Sequence, residues 1–207
     1  MRLYKFPKWL KRFYPGAIWD FSFSSPAKKI YLTFDDGPNP ITTDWILETL
    51  AAYQAKATFF CVGKNVELHP ELYSKIIQND HTIGNHSYSH VNGFKLKTKA
   101  YLEDIKKARK EINSVLFRPP YGKITPKQHW LVKQLGLTTV FWSHISYDFD
   151  MTLSSEKRIE KLLAAIQPGA IVVFHDSTKA FLQLSAELPQ ILQTLREKGY
   201  EFDNIKV

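Results

Sequence analysis

Two adjacent aspartates stand where a predicted strand gives way to a turn. Residues 30–40 read IYLTFDDGPNP, so an apolar, β-rich run ends in Asp35 and Asp36 and is stopped by Gly37 and Pro38. In α/β folds, the loops that leave the carboxyl ends of strands build the active site. A turn with an Asx cap would explain a lone Asp-Gly pair, but two neighbouring carboxylates repel each other unless a cation or proton intervenes. The segment therefore favours a functional site.

Two histidines four residues apart, His86 and His90, form a second candidate site. On a helical turn this spacing would put both imidazoles on one face, where they could bind a metal ion, although core or surface histidines would also explain the pair. A carboxylate is the usual third ligand of a catalytic zinc centre, and Asp36 could supply it. No glutamate lies between the histidines, so a general base has to come from elsewhere, and Asp35 is the candidate. Because adjacent residues of an extended strand point to opposite faces, we expect the two aspartates to have different roles.

Two further segments place a cation and a histidine at predicted strand ends. Arg118 opens the stiff segment RPPYG, although a tight turn with a surface arginine would also explain it. His175 ends the most apolar predicted strand, IVVF at 171–174, although a core-edge histidine with a backbone partner would also fit. Taken together, the four segments supply metal ligands, a base, a cation and an acid at strand ends.

Strand-like and helix-like segments alternate from residue 30 to the end of the chain. Strands are predicted in the run that starts at residue 30 and at 57–62, 81–83, 116–117, 138–143, 170–175 and 202–207. Helices are predicted from Thr42 or Thr43 to Tyr53, after Pro70, at 98–115, 126–135 and 159–166, and from near Glu187 to Gly199. The last helix is placed to begin there because Pro189 is tolerated only in a first turn. About seven βα units predict an α/β fold in which a parallel sheet curls into an incomplete barrel.

Composition limits the class of protein. A chain of 207 residues with 44% hydrophobic and 14% aromatic content is most simply one folded domain. The net charge is +8, but no long basic block or interleaved aromatic-basic pattern predicts a nucleic-acid groove. Cys61 is the only cysteine, which excludes an intramolecular disulfide, and its apolar surroundings predict an inert core residue.

Basic residues alternate with aromatic and aliphatic ones through residues 1–14. No apolar stretch there is long enough for a signal-peptide core or a membrane span, so a cytoplasmic or peripheral location is the default expectation. This arm would either pack on the domain or contact a membrane surface weakly. Pro7 and Pro15 argue against one continuous amphipathic helix.

Four of these segments, in this order, resemble the motifs of the polysaccharide deacetylases of carbohydrate esterase family 4, the chitooligosaccharide deacetylase homology domain. TFDDGP at 33–38 resembles the first motif, HSYSH at 86–90 the second, RPPYG at 118–122 the third and PGAIVVFHD at 168–176 the fifth. The match runs from 30 to 207, which makes 30–207 the catalytic domain and leaves 1–29 as an N-terminal arm. The resemblance implies a distorted, incomplete (β/α) barrel. It also implies removal of acetyl groups from N-acetylated sugars of the chitooligosaccharide or peptidoglycan type, with one divalent metal ion, commonly zinc.

The resemblance also implies a role for each matching residue. Asp35 would be the base and His175 the acid; Arg118 would steady Asp35; the backbone N–H of Tyr121 would help hold the oxyanion; and the metal ligands would be Asp36, His86 and His90.

The fourth motif is where the chain departs from the family pattern. Relatives show Trp-x-x-Asp-x-x-Asp-Trp, whereas residues 142–149 read WSHISYDF. Ile145 replaces the first aspartate, which the resemblance assigns to orienting and charging the acid histidine, and Phe149 replaces the final tryptophan. We expect another carboxylate to substitute for it, with Asp148, which matches the second aspartate of the motif, and Asp150 as the candidates.

Two other functions are weighed against deacetylation. A glycosidase needs two carboxyls facing each other across a bond, roughly 5–9.5 Å apart, which adjacent Asp35 and Asp36 fit poorly, and the histidine pair would have no role. A degenerate domain that binds acetylated glycans without turnover is suggested by Ile145. The complete set of candidate ligands and the presence of His175 argue against it.

Overall fold

Strands and helices alternate along the chain in the computed structural model, which describes residues 8–21 and 28–207. The strands are β1 (Lys29–Asp35), β2 (Thr58–Cys61), β3 (Thr82–Asn85), β4 (Leu116–Phe117), β5 (Thr138–Thr139), β6 (His144–Ile145), β7 (Ile171–His175) and β8 (Glu201–Asp203). The α-helices are α1 (Thr43–Ala52), α2 (Gly63–Leu68), α3 (Pro70–Gln78), α4 (Thr98–Glu111), α5 (Pro126–Gln134), α6 (Ser155–Ala165) and α7 (Thr178–Glu197). Short 3₁₀ helices span Lys8–Phe13 and Pro120–Gly122.

One parallel sheet organises these elements. Its strand order is β5-β4-β3-β2-β1-β7-β6, every neighbouring pair is parallel, and β8 adds to β1 near the start of that strand. Parallel strands end at the same rim, and the register places Asp35 of β1 opposite His175 of β7. The sheet is a distorted, incomplete (β/α) barrel, as the sequence predicts.

The two ends of this strand order are joined by a very short piece of chain. Only residues 140–143 separate β5 from β6, so the sheet has to curl. Val140 donates its N–H to Phe117 of β4 (2.8 Å), and Ser143 donates to Ile171 of β7 (3.1 Å). The single strand predicted at 138–143 is therefore wrong, because these residues cross between the two sheet edges instead of extending along one of them.

Side chains of the central strands alternate between two apolar layers. Phe34 of β1 and Phe174 of β7 belong to the layer that packs against the helices, and their rings stack 5.6 Å apart. Ile171 and Val173 lie in the other layer, inside the curled sheet. Since alternate residues share a face, the neighbours of this second set at the strand end point into the barrel mouth. Asp35 and His175 are thereby placed at the rim, on the interior face.

The longest helix runs through a proline that was expected to lie near its start. Helix α7 begins at Thr178, and Pro189 lies in its interior. Proline removes one backbone donor there, but the helix buries a continuous apolar face on both sides of it, including Leu184, Leu188 and Leu192. The prediction that this helix begins near Glu187 is wrong, because tertiary packing outweighs the local signal.

Cys61 lies fully buried in the helix-side layer, as predicted. Burial raises the pKa of its thiol well above the usual value, and the nearby carboxyls Asp176 and Asp35 add to that effect. The thiol is therefore an unreactive core group.

The described part of the N-terminal arm packs on the sheet. Ile18 donates its N–H to Thr139 of β5 (2.9 Å) at one edge of the sheet, and Phe21 donates to Gly169 (2.8 Å), just before β7, on the other side of the gap between the two edges. Trp19 is buried and stacks on Phe141 with ring centroids 4.0 Å apart. The domain division at residue 29 stays a prediction, and residues 1–7 of the arm lie outside the described part. Over residues 8–21 and 28–207, no helix combines the length and apolarity needed to cross a bilayer.

Candidate active site

A cavity of about 490 Å³ opens at the carboxyl rim of the sheet. Its polar lining contains six of the seven residues to which the motifs assign a role: Asp35, Asp36, His86, His90, Tyr121 and His175. The seventh, Arg118, lies buried beneath them and contacts Asp35. The fold thus gathers residues from the ends of four strands that are distant in sequence.

Asp36, His86 and His90 offer ligand atoms that lie within 4.8 Å of one another. Nε2 of His90 is 3.0 Å and Nε2 of His86 is 3.7 Å from Oδ1 of Asp36. Nδ1 of His86 lies 2.8 Å from the carbonyl oxygen of Arg118, and a carbonyl only accepts, so Nδ1 carries the proton and Nε2 presents its lone pair. Burial lowers the pKa of His86 to about 4, which keeps its ring neutral, the form that binds metal. One carboxylate and two imidazoles fit a divalent ion that keeps an open position.

The histidine pair is brought together by a turn, not by the helical turn that its spacing suggested. Ser87 and His90 both have left-handed backbone conformations (φ 64° and 52°). Oδ1 of Asp104, from α4, accepts the N–H groups of Tyr88 and Ser89 (2.8 and 3.1 Å) and fixes this turn. The residue types and their spacing therefore identified two histidines that lie together, but the helical geometry assumed for them is wrong.

Asp36 leaves the strand in a left-handed conformation (φ 83°), which turns its carboxylate toward the histidines. Asn65 of α2 donates to the Asp36 carbonyl oxygen (2.7 Å) and helps hold this turn. Burial alone would raise the pKa of Asp36, but the hydrogen bond of His90 and the positive charge of His175 outweigh it and lower the pKa. Asp36 and Asp35 therefore have different partners, although the cause is a backbone turn at Asp36 and not strand alternation.

Asp35 is paired with a buried arginine. Nη1 of Arg118 donates to Oδ1 of Asp35 and to Oγ1 of Thr33, each at 2.7 Å. The rest of the guanidinium donates to the carbonyls of Val140 (3.3 Å) and Phe141 (2.9 Å), so Arg118 also bonds to the segment that crosses the sheet gap. Its side chain is fully buried, and its charge is balanced by Asp35.

A second buried carboxyl supports the turn that follows Asp35. Asp176 accepts hydrogen bonds from Thr42 and Thr43 (2.6 Å for Thr43) and donates its N–H to the Asp35 carbonyl oxygen (2.7 Å). Helix α1 begins where predicted, but the two threonines bond to Asp176 instead of capping it. Burial raises the pKa of Asp176 to about 7, against the effect of these hydroxyl donors. A Cβ on Gly37 would lie 2.1 Å from the Asp176 carboxylate, which explains the glycine.

Tyr121 presents a free backbone donor at the cavity. Pro119 and Pro120 have no N–H group, so Tyr121 carries the first donor after Arg118. Its φ of 61° is left-handed, and its N–H donates to no other residue within the part of the chain that the structure describes. The ring lies 4.6 Å from the His90 ring, beside the candidate metal ligands.

His175 has a carboxylate partner in Asp148. Nδ1 of His175 lies 2.8 Å from Oδ1 of Asp148, and the His175 N–H donates to Oδ2 of the same carboxylate (2.7 Å). Burial alone would lower the pKa of His175, but the charge and hydrogen bond of Asp148, together with Asp36 and Asp35, raise it to about 9.

Of the two candidate carboxylates, Asp148, which matches the second aspartate of the fourth motif, is the one that contacts His175. Asp150 instead accepts from Thr152 (2.9 Å from its N–H) and closes a turn. Ile145 does not leave His175 unpaired, and its side chain lines the cavity.

Sequence reasoning passed over most of the apolar wall of the cavity. Trp142 and Val173 join Ile145 and Phe149 there, and the rings of Phe149 and His175 are perpendicular with centroids 5.1 Å apart. Alternation along the predicted strand at 170–175 could have placed Val173 on the interior face, but nothing in the sequence located Trp142 relative to it. Lys179, on the first turn of α7, lines the same cavity.

A curled parallel sheet with an Asp-His-His cluster at its carboxyl rim is typical of a class of metal-dependent hydrolases. Residues 24–140 match the family model described as polysaccharide deacetylase, and the chain belongs to this family. Members of the family depend on a metal ion.

Relatives and solved structures agree with this assignment over most of the chain. It is 33% identical to a peptidoglycan-N-acetylglucosamine deacetylase of Bacillus cereus, with 93% of each chain covered. It is also 33% identical to a chitooligosaccharide deacetylase of Bradyrhizobium sp., covering 73% of this chain and 72% of that one. The crystal structure of a peptidoglycan N-acetylglucosamine deacetylase superposes with a TM-score of 0.87 at 28% identity, covering 97% and 95% of the two chains. A pseudoenzyme of the family from Bacillus anthracis superposes with a TM-score of 0.75 at 25% identity, covering 87% of this chain and 64% of that one.

Proposed function

We propose that this protein hydrolyses the acetamide group of N-acetylated amino sugars, in polymers or oligomers of the peptidoglycan or chitooligosaccharide type. The observation that carries the proposal is the arrangement of one cavity. The ligand cluster of Asp36, His86 and His90 shares this cavity with a carboxylate held by an arginine and a histidine held by a carboxylate. The names of the two relatives above support an acetylated amino-sugar substrate.

Zn²⁺ is the metal that we propose for the cluster of Asp36, His86 and His90. A divalent ion held there would lower the pKa of water to roughly 7 from ~15.7 and would polarise the acetyl carbonyl. The tautomer of His86 fixed by the Arg118 carbonyl suits this ligand set.

Proton transfers would be divided between Asp35 and His175. Asp35 accepts the proton of the attacking water, while the hydrogen bond from Arg118 orients the carboxylate. The Tyr121 N–H donates to the oxygen on which negative charge develops at the acetyl carbon. His175, held through Nδ1 by Asp148, donates a proton from Nε2 to the sugar nitrogen as the C–N bond breaks. Water thereby adds across the C–N bond, and the products are acetate and a free amino sugar.

A non-catalytic glycan-binding domain is the second candidate. The pseudoenzyme among the similar structures shows that this fold occurs without activity, and Ile145 and Phe149 depart from the fourth motif. The pairing of His175 with Asp148 favours the catalytic alternative, since the departure at Ile145 does not remove the partner of the acid.

Acetate release decides between these functions. The purified protein is incubated with N-acetylglucosamine oligomers and with peptidoglycan, after chelation and after re-addition of Zn²⁺, with Asp35→Asn as the matched inactive variant. We expect acetate only with metal and only with the unsubstituted chain. Binding without acetate release would support the glycan-binding alternative, and new reducing ends without acetate would point to a glycosidase.

Contact of residues 1–14 with a membrane surface, and the location of the protein, stay predictions. Trp9 and Phe13 are exposed, as a lipid-facing arm would require, and their rings form an edge-to-face pair. Tyr14, by contrast, packs against the domain. Sedimentation with anionic vesicles, comparing the chain with its Trp9→Ser/Phe13→Ser variant, would test the contact. Equal sedimentation of the two would exclude these side chains as anchors.

A further inference from the structure

The partner of His175 belongs to a loop, not to the sheet. Residues 146–154 connect β6 with α6, and Asp148 lies within this 146–154 loop. Two backbone hydrogen bonds shape the start of the loop: Ser146 donates its N–H to Val173 of β7 (3.1 Å), and Asp150 donates to Tyr147 (2.9 Å). Asp148 itself is fully buried, and both of its carboxylate oxygens are used by His175. Its position therefore depends on what holds the loop against the barrel.

An arginine from α6 holds the far side of this loop. Nη1 of Arg158 donates to the carbonyl oxygens of Asp150 (2.7 Å) and Leu153 (2.5 Å), and Nη2 donates to Ser155 (3.2 Å). The remaining donors go to Glu187 of α7, with Nε 2.8 Å from Oε1. All five N–H groups of the guanidinium are used in this way.

Both charges of this pair are buried. Arg158 is 2% exposed and Glu187 is 3% exposed. A buried ion pair is weak evidence for stability, because desolvation offsets the attraction, and well-packed apolar residues often do as well. The hydrogen bonds of Arg158 to two loop carbonyls give the pair a more specific role, since apolar side chains could not make them.

We propose that Arg158 and Glu187 are positioning residues that hold the 146–154 loop in the conformation that keeps the Asp148 carboxylate on Nδ1 of His175. The inference rests on the proposed function of His175 and Asp148 in the deacetylation. It makes the acid half of the site dependent on two helices that contribute no metal ligand.

The effect of a loop movement on His175 depends on which of the charged groups that face it belong to the loop. Among the described residues these are Asp148 from the loop, Asp35 and Asp36 from the end of β1, and Lys179 from α7. Of these four, Asp148 is the one carried by the 146–154 loop. Loosening the loop should therefore weaken the two hydrogen bonds between His175 and Asp148 and leave the Asp35–Arg118 pair in place.

The experiment replaces the whole pair, because removing one partner would leave a buried charge unpaired and could prevent folding. Arg158→Met/Glu187→Leu is compared with the zinc-loaded unsubstituted chain, with Asp148→Asn and with Lys157→Met. Lys157 is the exposed neighbour of Arg158 on the same helix and is the matched control. Arg158→Lys keeps a charge opposite Glu187 but lacks the planar fork that reaches two carbonyls, and it gives the same comparison should the double variant not fold.

Two readouts separate positioning from a merely structural role. The first is the ¹⁵N-resolved Nδ1–H signal of His175, assigned by its loss in His175→Gln, whose exchange with water should accelerate about tenfold or more in the double variant. The second is the alkaline limb of kcat/KM, which should move toward lower pH, in the direction of Asp148→Asn. Arg158→Lys should lie between the double variant and the control in both.

A cooperative thermal transition with both readouts equal to those of Lys157→Met would overturn the proposal. The exchange measurement needs no turnover, so it still decides the positioning role if the unsubstituted chain releases no acetate and the proposed function fails.

Discussion

Asp35 and His175 lie side by side on adjacent strands, but their partners come from different parts of the fold. Arg118, the partner of Asp35, follows strand β4 directly and bonds to Thr33, Val140 and Phe141, which belong to β1 and to the segment that crosses the sheet gap. Asp148, the partner of His175, lies on the 146–154 loop, whose far side is held by Arg158 from outside the sheet.

The two partners therefore differ in how much of the fold depends on them. Arg118 serves both the site and the closure of the sheet, so it cannot be changed without affecting both. The Asp148 side chain, by contrast, can be altered without removing a metal ligand, the base or a hydrogen bond to the crossing segment. We therefore expect changes on the Asp35 side to reduce folding and activity together, and changes on the His175 side to alter mainly the pH range of activity.

The largest effect is expected for Arg118→Met. It leaves the Asp35 carboxylate buried beside an apolar side chain and removes two bonds to the crossing segment, so the free energy of unfolding should fall by about 3–5 kcal/mol. Denaturant unfolding and acetate release measure the two losses. Arg109→Met, at an exposed arginine that donates to the Leu135 carbonyl (2.7 Å), is the control and should change neither by much. A stable Arg118→Met chain with normal turnover would contradict the shared role of this residue.

Asp35→Asn should lower kcat/KM by roughly 10²–10⁴-fold while the chain keeps its metal, because an amide is a poor base and Asp35 is not needed as a ligand. Replacing Asp36, His86 or His90 by Ala should instead lower metal content and activity together. Elemental analysis beside initial-rate assays separates the two outcomes. Equal metal loss in Asp35→Asn and Asp36→Asn would mean that the aspartates share one role.

Asp148→Asn should act mainly through pH. The acid must be protonated to give up its proton, and the Asp148 carboxylate helps to raise the pKa of His175 to about 9. Without that charge the pKa falls, so the alkaline limb of kcat/KM should move to lower pH while the rate at acidic pH changes less. Asp150→Asn is the matched control on the same loop and should leave the limb in place. A limb that shifts in Asp150→Asn and not in Asp148→Asn would reverse the assignment.

The Asp148–His175 pair should also affect the free energy of unfolding in a defined pH window. The folded pKa of His175 lies above the ordinary value of 6.5, so its contribution is fully present below 6.5 and is lost as the pH rises through about 9. Unfolding of the metal-free chain, followed across this range, should show a smaller decline for Asp148→Asn than for the unsubstituted chain.

The smallest effect on the alkaline limb is expected for Ile145→Asp, which restores the carboxylate type of the family motif. Both oxygens of Asp148 already contact His175, so a second carboxylate on the cavity wall should not extend the limb. A pH profile that extends to higher pH in Ile145→Asp would show that the Asp148 hydrogen bond leaves His175 incompletely charged.

The residue types of the site were readable from the sequence, but several of their geometries were not. Asp35, Asp36 and His175 follow apolar runs, so strand periodicity was enough to place them at one rim. The turn that joins His86 to His90 depends on Asp104 of a later helix, and the partner of Asp176 comes from the start of α1. Such contacts between distant segments leave no local pattern.

Contacts between distant segments also explain the errors in the predicted helices and strands. Pro189 is a strong local signal against a helix interior, yet α7 continues through it because its apolar face is buried against the sheet layer. The run TTVFWS at 138–143, rich in β-branched and aromatic residues, gave no sign that four of its residues cross from one sheet edge to the other. Ile145 was identified as a departure, but only the fold shows that Asp148 already holds the acid.

The pairing of residues 17–21 across the sheet gap has a consequence for any shortened form of the protein. A fragment beginning at residue 30 would retain every motif of the site, but it would lose the backbone donors that reach Thr139 and Gly169. It would also uncover the ring of Phe141, on which Trp19 now stacks. Exposed strand edges beside an uncovered aromatic surface are templates for self-association. The minimal catalytic fragment and the minimal soluble fragment of this chain are therefore expected to differ in where they begin.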